Sequence, residues 1–116
     1  YVPINLTNNN SDSTILTWVE SMPEFPGGMQ KLMNFLGKYI KYPAKAKMKR
    51  IQGNVLVNFV VEADGSITYL KVIKGIGGGC DEEAIRVLST MPKWNPGKQL
   101  GKPVKVSYNL PVKFSL

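Results

Sequence analysis

The most regular pattern in the chain lies near its end. In VKVSYNLPVKFSL, residues 104–116, the apolar positions are Val104, Val106, Tyr108, Leu110, Val112, Phe114 and Leu116. Lys105, Ser107, Asn109, Lys113 and Ser115 between them are polar. A period of two predicts a strand with one buried face. GNVLVNFVVE, residues 53–62, predicts a second strand. It points Val55, Val57, Phe59 and Val61 one way, and Asn54, Asn58 and Glu62 the other along with Leu56 and Val60. EADGSI follows as a hairpin signal, because Asp64-Gly65 suits the positive φ angles of a tight turn. ITYLKVIK, residues 67–74, is the return strand, and its less regular alternation leaves room for a bulge.

Helical spacing appears twice. Met29, Leu32, Met33, Leu36, Tyr39 and Ile40 recur at steps of three and four and predict an amphipathic helix over 28–41, stopped by Pro43. A second helix is expected from Cys80 to Thr90, with Asp81, Glu82 and Glu83 in its first turn and Pro92 at its end. AKAKMKRIQG reads as a short basic helix or turn, GIGGG as a flexible connection, and PKWNPGKQLGKP as a loop. The order helix, strand, strand, helix, strand predicts an α+β domain: a small three-stranded antiparallel sheet with two helices on one face. That domain is assigned to residues 22–116. Residues 1–21, rich in Asn, Ser and Thr, read as a tether, within which Ile15 to Val19 packs on the domain or adds a strand.

Charge adds a partner preference. All fifteen Lys and Arg residues lie in 21–116, where they meet six acids, so this part carries about +9. Such a surface favours acidic partners. Lys38, Lys41, Lys45, Lys47, Lys49 and Arg50 have no acid among them. They suit phosphates, with Tyr39, Tyr42, Tyr69 and Trp94 as stacking surfaces, or else a plain solvated face that assists a protein or membrane-surface contact. The single Cys80 makes no internal disulfide and leaves cytosol and periplasm both open. The first residue is not Met, which fits a piece of a longer chain.

Catalytic chemistry finds little footing. The chain has no His, which removes His-based triads, His general bases and His-containing zinc sites. Cys80 at a helix start lacks a base partner, and its expected role is a small, partly buried residue or an N-cap neighbour in a turn. Asp81-Glu82-Glu83 reads as a solvated first turn favoured by the helix dipole, not as a cation site. Gly75-x-Gly77-Gly78-Gly79 lacks a phosphate-binding spacing, and acids follow it. No catalytic residue, metal ligand or cofactor is assigned.

Pro111 is the anomaly in the last strand. Each strand residue points its N–H and C=O to one side, and the next residue points to the other. Residues 105, 107, 109 and 111 therefore address one neighbour, and Pro111 removes a donor on that side only. If that side is open, 105–109 can pair with an incoming strand and pairing stops at 111. The same proline equally fits an edge that is merely protected from aggregation.

The stretch YPAKAKMKRIQGNVLVNFVVEADGSITYLKVI, then the helix near Asp81, then WNPGK and the final strand, resembles the C-terminal domain of a TonB-type energy transducer. MPEFPGGMQKLMNFLGKYIKYP resembles the Bacteroidetes-type form. The resemblance runs from near Met22 to the end, on Tyr42-Pro43, Gly53 before a Val-rich strand, Asp64-Gly65 and Trp94-x-Pro96-Gly97-Lys98. It implies a non-enzymatic periplasmic domain of an inner-membrane-anchored protein, monomeric or weakly dimeric. An ExbB/ExbD-type motor would act through the region upstream. The implied partner is the TonB box of outer-membrane TonB-dependent transporters, added as a strand beside Val104, Lys105, Val106, Ser107, Tyr108, Asn109 and Leu110. Tyr42 and Pro43 match the family's Tyr-Pro, which lies near the transporter contact. Two other classes stand beside this one: a TonB-like docking or sensor domain on another membrane protein such as a peptidase-type sensor, and a basic nucleic-acid module.

Overall fold

The structure, a computed structural model, describes residues 15–116. Residues 1–14, which contain most of the expected tether, lie outside the described residues. The elements are β1 (Ile15–Leu16), α1 (Met29–Tyr39), α2 (Ala44–Met48), β2 (Gly53–Val61), β3 (Ile67–Lys74), α3 (Cys80–Leu88), β4 (Gly97–Gln99) and β5 (Lys102–Phe114). The class is α+β, as the patterning predicts.

β2 is the spine of the sheet. Val55, Val57, Phe59 and Val61 are all buried on one face, where Leu32 and Leu36 of α1 and Ala84, Val87 and Leu88 of α3 join them in one core. Both helices therefore cover the same face. β5 runs antiparallel to β2 along its whole length, from Gly53 opposite Phe114 to Val61 opposite Val106. β3 pairs with β2 on the other side.

The sheet is larger than the three antiparallel strands expected. Its order is β1-β5-β2-β3, and β4 also pairs with β5. β4 hid inside a segment rich in Pro and Gly. Leu100 and Gly101 both have positive φ, 53° and 77°, which is the two-residue turn that matches strand twist. That turn folds Gln99 back on Lys102 and extends β5 two residues before Val104. β1 is parallel to β5, with Ile15 opposite Lys105 and Leu16 opposite Val106.

Two local expectations shift. The Asp64-Gly65 hairpin is not a two-residue turn, since Gly65 alone has positive φ there (89°). Gly65 N–H donates to the Glu62 carbonyl at 2.8 Å and Glu62 N–H to the Ser66 carbonyl at 2.8 Å, a three-residue loop ending on glycine. The Asp64 carboxylate accepts from the Ser66 N–H and hydroxyl, which fixes the loop and lowers the Asp64 pKa. In β3 the expected bulge is present: register slips between Asn58 and Val60, and Tyr69 sits there with φ 54° and 74% exposed.

The first turn of α3 is not simply solvated. Asp81 accepts from the N–H groups of Ile76 and Gly77, at 2.9 and 3.3 Å, and so ties down the glycine loop. Glu83 accepts from the Lys41 N–H and the Arg86 guanidinium, each at 2.7 Å, while Arg86 also donates to the Tyr39 carbonyl. This network staples the end of α1 to α3. Arg86 and the Lys41 N–H hold the Glu83 carboxyl below its ordinary pKa. A lowered folded pKa contributes stability at pH above the ordinary glutamate range, about 4.3, and that contribution is lost as pH falls through the lowered value. Glu83→Gln is expected to cost about 1–2 kcal/mol at neutral pH. In urea titrations across pH, the gap between variant and wild type should close below pH ~4; a gap independent of pH would contradict the assignment.

Candidate functional site

The candidate site is the side of β5 that faces away from β2. Its polarity follows from proline chemistry. Pro111 stands opposite Leu56 and Pro103 opposite Lys98. Neither proline can donate, so these are the pairs in which residues do not exchange bonds. Odd-numbered residues of β5 thus turn their backbone groups away from β2 and β4, toward the side where β1 lies. On this outer side donors are available at Lys105, Ser107, Asn109 and Lys113, and Pro103 and Pro111 interrupt the row. The parity that the sequence left undecided is settled: Pro111 faces outward.

Occupancy of that side is uneven. Lys105 and Val106 are already paired with Ile15 and Leu16. Beyond Val106, no described strand pairs with β5 on this side, and Asn109, Pro111 and Lys113 are exposed. The run 105–109 is therefore open only in its second half. Val104 is engaged with β4, opposite Gly97. Tyr108 and Leu110 point their side chains into the core and their backbone to β2.

α1 flanks the free stretch. Met29 and Leu32 share a cleft of about 620 Å³ with Tyr108, Phe25, Trp94 and Lys98. Met33, Leu36 and Gly37 share a smaller one, about 200 Å³, with Pro111, Val112 and Lys113. The two clefts set the start of α1 by Tyr108 and its later turns by Pro111 to Lys113. Met29 and Met33 are 54% and 42% exposed along this seam. Trp94 is packed edge-on against Phe59 and Tyr108, with centroids 5.3 and 5.2 Å away. Its indole Nε1–H is buried and has no hydrogen-bond partner among the described residues. Burial, with Glu24 adding repulsion, raises the Tyr108 hydroxyl pKa. An added strand would lay apolar side chains against the two methionines, and an acceptor reaching the larger cleft would satisfy the indole.

Tyr42 and Pro43 lie elsewhere. The Tyr42 hydroxyl donates to the Ile51 carbonyl, and its ring meets Phe114 edge-on at 5.6 Å. Pro43 begins α2. The pair sits at the far end of β5, four residues or about 13 Å of strand beyond Leu110. The structure does not bring these two sets of residues together. Of the four aromatics considered for base stacking, Trp94 is buried in the core and Tyr42 is half-buried against Phe114.

Cys80 is fully buried, and burial first, then Asp81 and Glu82, raises its thiol pKa. A raised pKa leaves little thiolate, the reactive form. Among the described residues no group of three or more His, Cys, Asp or Glu could hold a metal ion, and no helix is long and apolar enough to cross a membrane.

Sequence reasoning allowed a short strand within Ile15 to Val19 but gave it no partner, and it missed the methionine seam. Leu16 and Val19 carry no strand period, and Met29 and Met33 look like any core-facing positions. Only the third dimension puts them beside β5.

These features define a small α+β domain built around a long, partly unpaired strand. The family described as the Gram-negative bacterial TonB protein C-terminal matches residues 38–116, and the chain belongs to it, a family of transport-related proteins. Protein TonB from two strains of Helicobacter pylori, J99 and 26695, is 39% identical to it over 46 residues, which is 40% of this chain and 16% of each relative. The match therefore spans a small part of the relatives' length. Two NMR solution structures of Helicobacter pylori TonB-CTD are similar in fold. One gives a TM-score of 0.56 at 27% identity, covering 75% of this chain and 78% of that one. The other gives 0.57 at 26%, covering 74% and 90%. The family match begins at Lys38, so β1 and nearly all of α1, the two elements that shape the outer edge of β5, precede it.

Proposed function

We propose that this is the periplasmic domain of a TonB-type energy transducer, and that it takes the TonB box of an outer-membrane transporter as an added strand on the outer side of β5. An ExbB/ExbD-type motor, coupled through chain preceding the domain and an inner-membrane anchor, supplies the pull. The observation that carries the reading is the unpaired outer row of β5 backbone groups, bounded by Pro111 and flanked by the α1 seam. Backbone pairing reads little sequence, so one domain serves several transporters, and the clefts against α1 add preference for apolar side chains. Four to six bonds at about 0.5–1.5 kcal/mol net each, less ordering costs, give roughly micromolar affinity, which permits release after each pull. Lys105 is tied to Glu62 at 3.6 Å, while Lys113 is exposed and free to attract an acidic approach.

NMR titration with a synthetic TonB-box peptide tests this. Amide shifts should fall on 105–113 and on Met29 and Met33. Shifts centred on 45–50, with β5 silent, would point to the basic face and end the reading. Met33→Asp should weaken peptide binding about fivefold to tenfold while leaving the melting temperature nearly unchanged, because the side chain is 42% exposed and lies outside the core.

A further inference from the structure

We infer that residues 15–19 are a resident stand-in for the partner strand: they occupy the start of the docking edge and must leave for a partner to pair along it. The inference rests on the strand-addition reading above and adds a competitor within the same chain.

Arithmetic along the edge forces the overlap. Between Pro103 and Pro111 the outer side offers N–H donors only at Lys105, Ser107 and Asn109. β1 covers the register at Lys105 and Val106. What remains before Pro111 is 107–109, shorter than an ordinary strand. A partner that pairs over a useful length needs positions 105 and 106, and β1 is on them.

β1 is also placed to leave without unfolding the domain. Leu16 and Val19 do not belong to the main core. They form a separate small cluster with Val106, bordered by Met22 and Val104. The strand is two residues long and Ile15 is 45% exposed. Just behind it the chain is fastened independently: Glu20 N–H donates to the Gln99 side chain at 3.0 Å, Ser21 bridges to Lys98 and Glu24 to Asn95. These fastenings at Glu20, Ser21 and Glu24 do not depend on 15–19 staying in place. Apolar residues of an incoming strand would take over the contacts with Val106 that Leu16 and Val19 give up.

Competition within one chain lowers apparent affinity by the fraction of molecules whose edge is free. The test compares wild type with a Leu16→Asp/Val19→Asp variant, using a fluorescent TonB-box peptide and polarisation. The variant should bind about tenfold more tightly. Equal or weaker binding by a folded variant overturns the inference and leaves the parent reading standing. No binding by either protein removes both. A second variant, Ile15→Cys/Lys105→Cys, joins residues that are already strand partners, at a spacing a disulfide accepts. Oxidised, it should lose at least about tenfold in affinity and recover it on reduction; undiminished binding by the oxidised form overturns the inference. Cys80 is buried and does not interfere.

Discussion

Asn109→Pro is expected to leave the domain folded and to reduce partner affinity at least about tenfold, whereas Leu110→Pro should not fold stably. One residue separates the two sites, and the difference lies in where the backbone points. Asn109 turns its N–H outward, so proline there removes a donor that only a partner would use. Its side chain is lost as well: Asn58 Nδ2 donates to Asn109 Oδ1 at 2.8 Å. Asn58 keeps a donor bond to the Ser107 hydroxyl at 2.8 Å, so the cost is about 1 kcal/mol. Leu110 points its N–H to Val57 of β2, and its side chain is 2% exposed in the core. Proline there breaks a central ladder bond and empties a core position, together about 4 kcal/mol or more. Circular dichroism melts of both variants, with peptide titration of the one that folds, check the pair. If Leu110→Pro folds and Asn109→Pro does not, the strand faces the other way.

Much of this architecture is written in local pattern. β2, β3 and α3 follow from alternation, a hairpin glycine and acids ahead of an apolar stripe, because in each case the burial face and the period agree. The bulge at Tyr69 shows in the broken alternation of 67–74. The parts that were not legible depend on distant segments meeting. β4 lay in a stretch whose prolines and glycines read as loop, yet Leu100 and Gly101 supply the turn that makes the strand. Asp81 looked like a dipole-favoured acid and is in fact committed to the backbone of Ile76 and Gly77. At the site, the parity of Pro111 could be framed from sequence but not decided, since either side of a strand reads the same until its neighbour is known. Pro103 supplied the second point of the line. That Ile15 and Leu16 would lie on that very side is a fact of tertiary packing, and no period in residues 15–19 announces it.

The motif Asp64-Gly65 and the motif at Trp94 are thirty residues apart in sequence and in contact in space, and this yields a second large expected loss of stability. Gly65 has φ 89°, and a Cβ added there would stand 2.1 Å from the Trp94 carbonyl oxygen. That oxygen is backbone, held in place because Trp94 N–H donates to the Gly65 carbonyl at 2.8 Å. Neither side can yield without moving the indole, which is packed on Phe59, Tyr108 and Phe25. Gly65→Ala should therefore cost about 3–5 kcal/mol and lower the melting temperature by roughly 10 °C or more. Gly77→Ala is the control. Its φ is similarly positive at 79°, but nothing lies within 4 Å of the added Cβ, so backbone strain acts alone. The expected cost is about 1–2 kcal/mol. Calorimetry on the two variants separates strain from close approach. Equal losses would mean that the hairpin does not buttress Trp94. A large loss at Gly65 alone makes the hairpin loop the support beneath Tyr108, and so beneath the stretch of β5 whose outer side is free.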